Sequence, residues 1–352
     1  MRLAEVTASG TGRRGAGLGN EALAWGKAML AADALDLRLL APRWLTNRYA
    51  LGDQLGIGRG AMLRAELAAR LAPSRDFTEN LYRETGRVDY GAAVIAASDA
   101  GRLDGARVLV TSGMWGGYAA IAGSRLQMHE AVRSAPGAEK LAISATDHSA
   151  LTVGLHVRRG DFGTAAPAPG TFNRSLPVSW FAGVIRSLTE LFPEAAYVVC
   201  TDAADGELVE LTDKPSVRVV RGEGVAAPVQ ELSVLAACDL LVCSVSSFSM
   251  LAAFLSDRPY LWYAPQLTVV DGSATIWGME TSQRVEGSPT RRALALRDDH
   301  VRARGIPVGA DGTVRLQTED LAAPVEGWDR RRDLLYYGAV PDGAPGTRGG
   351  RA

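Results

Sequence analysis

The sequence predicts an α/β protein of two Rossmann-like domains, and three observations carry that expectation. Short apolar runs alternate with helical apolar patterns. The alternation stops at a Pro136-Gly137 break and then starts again. A chain of 352 residues is long enough to build two cores. The expected domains are residues 1–145 and 146–335, followed by a Gly-, Pro- and Arg-rich tail at 336–352 that is expected to be disordered.

In the first series, residues 3–7 read as a strand, residues 10–19 as a glycine-rich turn and residues 21–32 as a helix. Further strands are expected at 37–40 and 107–111, with helical stretches at 62–71 and 90–97. The second series runs strand 151–157, helix 178–191, strand 196–201, strand 217–220, helix 228–238, strand 240–243, helix 248–256 and strand 260–262. A doubly wound sheet binds ligands beyond the carboxyl ends of its strands, which directs attention to the residues just after Val157, Thr201 and Cys243.

Composition excludes several classes of function. With 38 Lys plus Arg against 39 Asp plus Glu, no global field recruits nucleic acid or an anionic membrane, and an anion site must be local. Cys200, Cys238 and Cys243 lie in or beside apolar runs without zinc-site or disulfide spacing and read as buried thiols. No apolar run is long enough to span a membrane and the amino terminus lacks a leader-like apolar core, so a cytoplasmic location is expected.

Three segments carry the chemistry. In Gly15-Ala16-Gly17-Leu18-Gly19-Asn20, a strand passes into a helix through glycines that let backbone amides approach an anion. The same glycines would also serve tight strand-to-helix packing. The next strand runs into Ala41-Pro42-Arg43 and supplies no acid to hold a ribose, which counts against a dinucleotide cofactor.

In His156-Val157-Arg158-Arg159-Gly160-Asp161-Phe162, an apolar strand delivers a polar cluster at its carboxyl end. Alternation points Arg158 and Arg159 to opposite sides, so one guanidinium can take a pyrophosphate while the other holds Asp161 or a neighbouring carboxylate. The third segment, Ser244-Val245-Ser246-Ser247-Phe248-Ser249, joins a buried strand to an apolar helix. Its hydroxyls and free amides suit a phosphate, although one of its serines could be an N-cap.

Taken in order, these segments resemble the fucosyltransferase superfamily of α1,2- and α1,6-fucosyltransferases, nodulation-factor fucosyltransferases and protein O-fucosyltransferases; the most specific match is the His-Val-Arg-Arg-Gly-Asp string. The resemblance covers residues 15–30, 156–161 and 230–255. It implies a GT-B arrangement, two Rossmann-like domains facing a cleft, and inverting, metal-independent transfer of a sugar from a GDP-sugar. The donor would be a substrate, most plainly GDP-fucose, with no cofactor and no metal; the alternatives are another GDP-sugar used to decorate a natural product, or a non-catalytic nucleotide-sugar or glycan-binding protein.

Residue by residue, the resemblance implies that Arg158 binds the donor β-phosphate, supported by Arg159, and that His156 contacts the nucleoside. It places Gly17, Gly19 and Asn20 across the cleft, with Asn20 near the transferred sugar. Ser246, Ser247 and the Phe248 amide would close on the diphosphate. Glu231 falls where the core α1,6 enzymes read guanine, and a carboxylate can accept both the N1 and 2-amino hydrogens of that base. An exposed acid on an amphipathic helix is the alternative for Glu231.

The glutamate that follows the motif in the core α1,6 enzymes is missing, because this chain continues Phe162-Gly163-Thr164-Ala165. Asp161 is left either as the acceptor base or as a structural partner of Arg159. The acceptor, a glycan or a small molecule, does not follow from the residues. Trp44, Trp115 and Tyr118 could stack on it or belong to the core, and Asp202 could face a ligand or cap a helix.

Overall fold

The computed structural model describes residues 3–9, 17–43, 51–146, 150–160, 163, 174–266, 268–270, 273–275, 305–316 and 321. Within it the chain divides into two compact units, one inside Met1–Pro136 and one inside Gly137–Gly338. The tail expected at 336–352 lies outside the described residues. Both units are mixed α/β with parallel sheets.

The first unit holds strands β1 (Glu5–Ala8), β2 (Arg38–Leu39), β3 (Ser74–Phe77) and β4 (Val108–Thr111), all parallel in the order β2-β1-β4-β3. The two central strands are the apolar ones: Val6, Ala8, Val108, Leu109 and Val110 are buried. Helix Leu18–Leu35 follows β1 and packs on β1, β4 and helix Tyr90–Asp99. It buries nearly every residue from Leu18 to Ala31, which accounts for its alanine-rich sequence and weak amphipathic pattern. From β1 the chain steps first to β2 on one side and later returns to β4 on the other, so the topological switch point lies between β1 and β4.

The second unit holds six parallel strands: β5 (Thr152–Val157), β6 (Ala196–Thr201), β7 (Val217–Val219), β8 (Leu240–Cys243), β9 (Tyr260–Tyr263) and β12 (Gly305–Val308). A short antiparallel hairpin, β10 (Thr268–Val270) with β11 (Ser273–Thr275), intervenes in the chain. The sheet order is β12-β9-β8-β5-β6-β7. Its core joins β5, β6 and β8 to helix Val178–Leu191 through Val153, Leu155, Val157, Phe181, Ile185, Leu188, Val199 and Val242. β5 sits in the middle; the chain leaves it toward β6 and later returns beside it as β8. The switch point therefore falls between the carboxyl ends of β5 and β8, where two of the three polar segments emerge.

Helix Ala138–Ala145 belongs to this second unit and packs against helix Ala227–Ala237. Arg218 reinforces the attachment by donating to the Ser144 carbonyl at 3.0 Å and to that of Ala145.

Burial sets the expected cost of truncation. Leu155→Ala, in the fully buried centre of β5, is expected to lower stability by about 2–5 kcal/mol in urea unfolding, whereas Leu71→Ala, 81% exposed, should stay within about 0.5 kcal/mol. Equal effects would contradict the placement of this core.

Candidate functional site

At the switch point of the second unit, Ser244 joins the ends of β5 and β8. Its Oγ donates to the His156 carbonyl at 2.7 Å and accepts the Arg158 backbone N–H at 3.0 Å. The strand end that leads into Arg158 is thereby held by a side chain after the backbone ladder has stopped. His156 is buried, its Nδ1 lies 2.7 Å from Ser249 Oγ, and its ring rests on Phe248 with centroids 4.8 Å apart. Burial, aided by the Arg158 charge, brings the imidazole down to about 3, so it is neutral at physiological pH.

Asp202, just past β6, organises the two arginines. One carboxylate oxygen accepts the Arg159 backbone N–H at 2.7 Å, and the other pairs with Arg158 Nη1 at 2.5 Å. Arg159 turns to Glu207 instead, Nε to Oε2 at 3.1 Å; the Ala204 backbone N–H and then Arg159 hold that carboxyl below its ordinary range. Both arginines thus bind carboxylates, and both partners come from the segment after β6. Gly160 is required by the same arrangement: a Cβ there would overlap the Asp202 carboxylate. Asp161 itself lies outside the described residues.

Glu231 reaches the same edge from helix Ala227–Ala237. Its Oε1 accepts the Gly222 N–H at 3.0 Å. Burial raises its pKa; the Gly222 hydrogen bond and the Arg221 charge oppose the shift, and the Asp202 charge adds to it. The side chain is half-buried rather than displayed on an exposed helix face. Arg221 donates to the carbonyls of Thr201 and Ala203 at 2.9 and 2.8 Å, tying the end of β7 to the end of β6. Gly222 lies so close to the Ala227 backbone that a Cβ would overlap it, and this close approach brings its amide to Glu231.

The serine turn divides its work. Ser246 is the N-cap of helix Ser247–Ser256: its Oγ accepts the Phe248 N–H at 3.2 Å, and its own N–H donates to the Ser244 carbonyl at 2.8 Å. Ser247 opens the helix, and Ser249, buried, holds His156. The second unit therefore gathers His156, Arg158, Arg159, Glu231, Ser246, Ser247 and Phe248 around one sheet edge.

The first unit places Gly17, Gly19 and Asn20 where helix Leu18–Leu35 begins; Gly15 and Trp44 lie outside the described residues. Gly17 is the extended N-cap, Gly19 is buried, and the Asn20 N–H donates to the Gly17 carbonyl at 2.9 Å. A Cβ on Gly17 would meet nothing within 4 Å, so local packing does not demand glycine there. Next to Asn20, Glu21 is fully buried, and neither carboxylate oxygen has a hydrogen-bond partner among the described residues. Burial pushes its pKa up to about 8. Tyr118 is buried, and Trp115 covers the Lys27 ammonium at 3.3 Å. Lys27 donates to the carbonyls of Ser112 and Gly113 at 3.2 and 2.9 Å, and burial lowers its pKa. Among the described residues, no cluster of His, Cys, Asp or Glu could hold a metal ion, and no helix is long and apolar enough to cross a membrane.

Comparison with known proteins finds likeness in three dimensions. The structure is similar to fucosyltransferase NodZ from Bradyrhizobium, with TM-score 0.44 and 16% identity over 78% of this chain and 98% of that one. It is similar to NodZ alpha-1,6-fucosyltransferase co-crystallized with GDP, at 0.41 and 16% over 78% and 98%. It is also similar to POFUT1 in complex with GDP-fucose, at 0.43 and 12% over 72% and 95%. No family model and no curated protein matches the sequence.

The sequence leaves Asp202 between a ligand-facing and a capping role and places Ser244 and Ser249 in the serine segment without their partners, and it does not single out Glu21. Asp202 occupies a ligand-edge position, but an acid there also suits a helix cap, and only its contacts with both arginines separate the two roles. Glu21 reads in sequence as an ordinary first-turn helix acid.

Two buried groups give opposite pH dependences. His156 stays neutral in the folded chain down to about 3 while the unfolded imidazole takes its proton near 6.5, so this group makes stability fall as pH drops through that window. Glu21 stays protonated when folded up to about 8 and ionises near 4.5 when unfolded, so its contribution is complete below 4.5 and is lost as pH rises to about 8. Glu21→Gln is expected to remove the second dependence: unfolding titrations should show the variant gaining on the parent from pH 5 to pH 8. A constant difference across that range would place Glu21 in contact with solvent.

Proposed function

We propose that the protein is an inverting, metal-independent glycosyltransferase that moves fucose from GDP-fucose to a hydroxyl of a glycan or small molecule. The observation that carries this reading is Arg158 at the β5–β8 switch point, steered by Asp202 and held at its backbone by Ser244. A guanidinium already paired with one carboxylate can exchange that partner for a diphosphate, whose oxygens can take two of its N–H donors at once and carry more charge.

Glu231 supplies the base preference. With Oε1 accepting only the Gly222 amide, the carboxylate keeps lone pairs on both oxygens that can accept guanine N1–H and the 2-amino group, a pair of donors that adenine and uracil lack. The amino end of helix Ser247–Ser256 adds its dipole to the diphosphate site. His156, neutral and packed on Phe248, shapes the nucleoside wall without adding charge.

Bond cleavage builds negative charge on the departing β-phosphate and positive charge on the sugar. Arg158, fixed in place before the reaction, stabilises the first of these without reorganising. Gly17, Gly19 and Asn20 belong, in this reading, to the acceptor and sugar side, and Asp161 to the Arg158 motif.

The test is turnover of a panel of GDP-sugars by the parent and two variants. GDP-fucose should be the substrate used, and Arg158→Ala should lower its turnover by about 100-fold or more with unchanged circular dichroism. Glu231→Ala should weaken GDP far more than UDP. Turnover by Arg158→Ala close to that of the parent, or equal loss of GDP and UDP, would contradict the assignment.

A further inference from the structure

Helix Arg59–Leu71, just before β3 in the first unit, carries apolar residues on two sides. Its inner side is formed by Met62, Ala65 and Ala69, all buried, and Ala69 packs with Val108 and Val110 of β4. The leucines are on the outer side. Leu63, Leu67 and Leu71 are 48%, 45% and 81% exposed and recur every fourth residue, so they form one stripe along the helix. A single exposed leucine is ordinary, but a helix with only water on its outer side carries polar residues there. Here mostly small residues face the sheet and large apolar ones face outward, which marks the stripe as a contact surface.

Charge decides what that surface fits. On a helical projection Arg59 and Arg70 border the stripe on one side and Arg64 on the other, and all three are exposed. The exposed arc of the helix carries no acid: Glu66 is turned inward, with its side chain 14% exposed, and is shared between Arg43 at 2.9 Å and Arg70 at 2.6 Å. Arg59 pairs with Asp53 at 3.3 Å, and Arg64 has no ion-pair partner among the described residues. A second copy of the chain laid on the stripe would set arginine rim against arginine rim. An anionic bilayer meets both features, because its acyl chains take the leucines and its phosphates take the guanidinium groups. A helix of 13 residues can lie in a membrane surface but is too short to cross it.

We propose that helix Arg59–Leu71 is a membrane-docking face, which lies along an anionic lipid surface with Leu63, Leu67 and Leu71 inserted and Arg59, Arg64 and Arg70 on the headgroup phosphates. The near-zero charge balance of the whole chain is compatible with this, since the basic residues are gathered locally around an apolar stripe. The docking face goes beyond the transferase reading and does not rest on it.

The experiment is co-sedimentation of the full chain with phosphatidylcholine vesicles, with and without about 30% phosphatidylglycerol. The parent should bind the anionic vesicles and leave the neutral ones. The combined variant Leu63→Ser, Leu67→Ser and Leu71→Ser should lower that binding by about tenfold or more, as should Arg64→Glu, with urea unfolding like that of the parent. In Leu67→Trp, anionic vesicles should shift the emission to the blue relative to the parent, a response that attraction at a distance does not produce. Absence of parental binding, equal binding to both kinds of vesicle, binding that the serine variant retains, or no emission shift in Leu67→Trp would overturn the proposal. Self-association of the parent that the serine variant abolishes would give the stripe to a second copy and overturn it as well.

Discussion

The candidate donor site depends on the carboxylate of Asp202. One oxygen fixes the backbone of Arg159 and the other the guanidinium of Arg158, so a single side chain at the end of β6 sets both the path of the chain beyond β5 and the direction of its charge. Gly160 is glycine because Asp202 occupies the space a side chain would need. The Asp202 charge also reaches Glu231, where it opposes ionisation while Arg221 favours it. A diphosphate that took the place of Asp202 on Arg158 would therefore act on Glu231 too, so the carboxylate proposed to read the base and the proposed diphosphate site share one cluster.

The second sheet was legible because its strands are apolar on both faces. β5, β6 and β8 are continuous buried runs, and helix Val178–Leu191 and strands Ala196–Thr201 and Leu240–Cys243 fall where the pattern puts them. The unread strands lack that signal. β3 exposes Ser74, Arg75 and Asp76 and buries Phe77, while β12 contains Gly305 and Pro307 and, among the described residues, pairs with β9 alone. Helices Arg125–Arg133 and Ala138–Ala145 were missed for a related reason, since each buries only a few positions.

Within the site, the arginines, Glu231 and the serine turn were legible as residue types at strand and helix ends. Their partners were not. That Arg159 turns to Glu207, that Ser246 caps the Phe248 amide and that Ser244 clasps β5 to β8 depends on distances between segments far apart in sequence. Glu21 was hidden for the opposite reason: a helix acid looks ordinary until its burial and its missing partners are known.

The most direct test of the account is calorimetric titration of GDP, UDP and ADP into the purified protein in the presence of a chelator, repeated with Asp202→Asn. The account predicts selective binding of GDP that needs no divalent ion, and an altered GDP affinity in the variant because Arg158 has lost its carboxylate partner. Equal binding of the three nucleotides, or none, would contradict the assignment of this edge to a GDP-sugar.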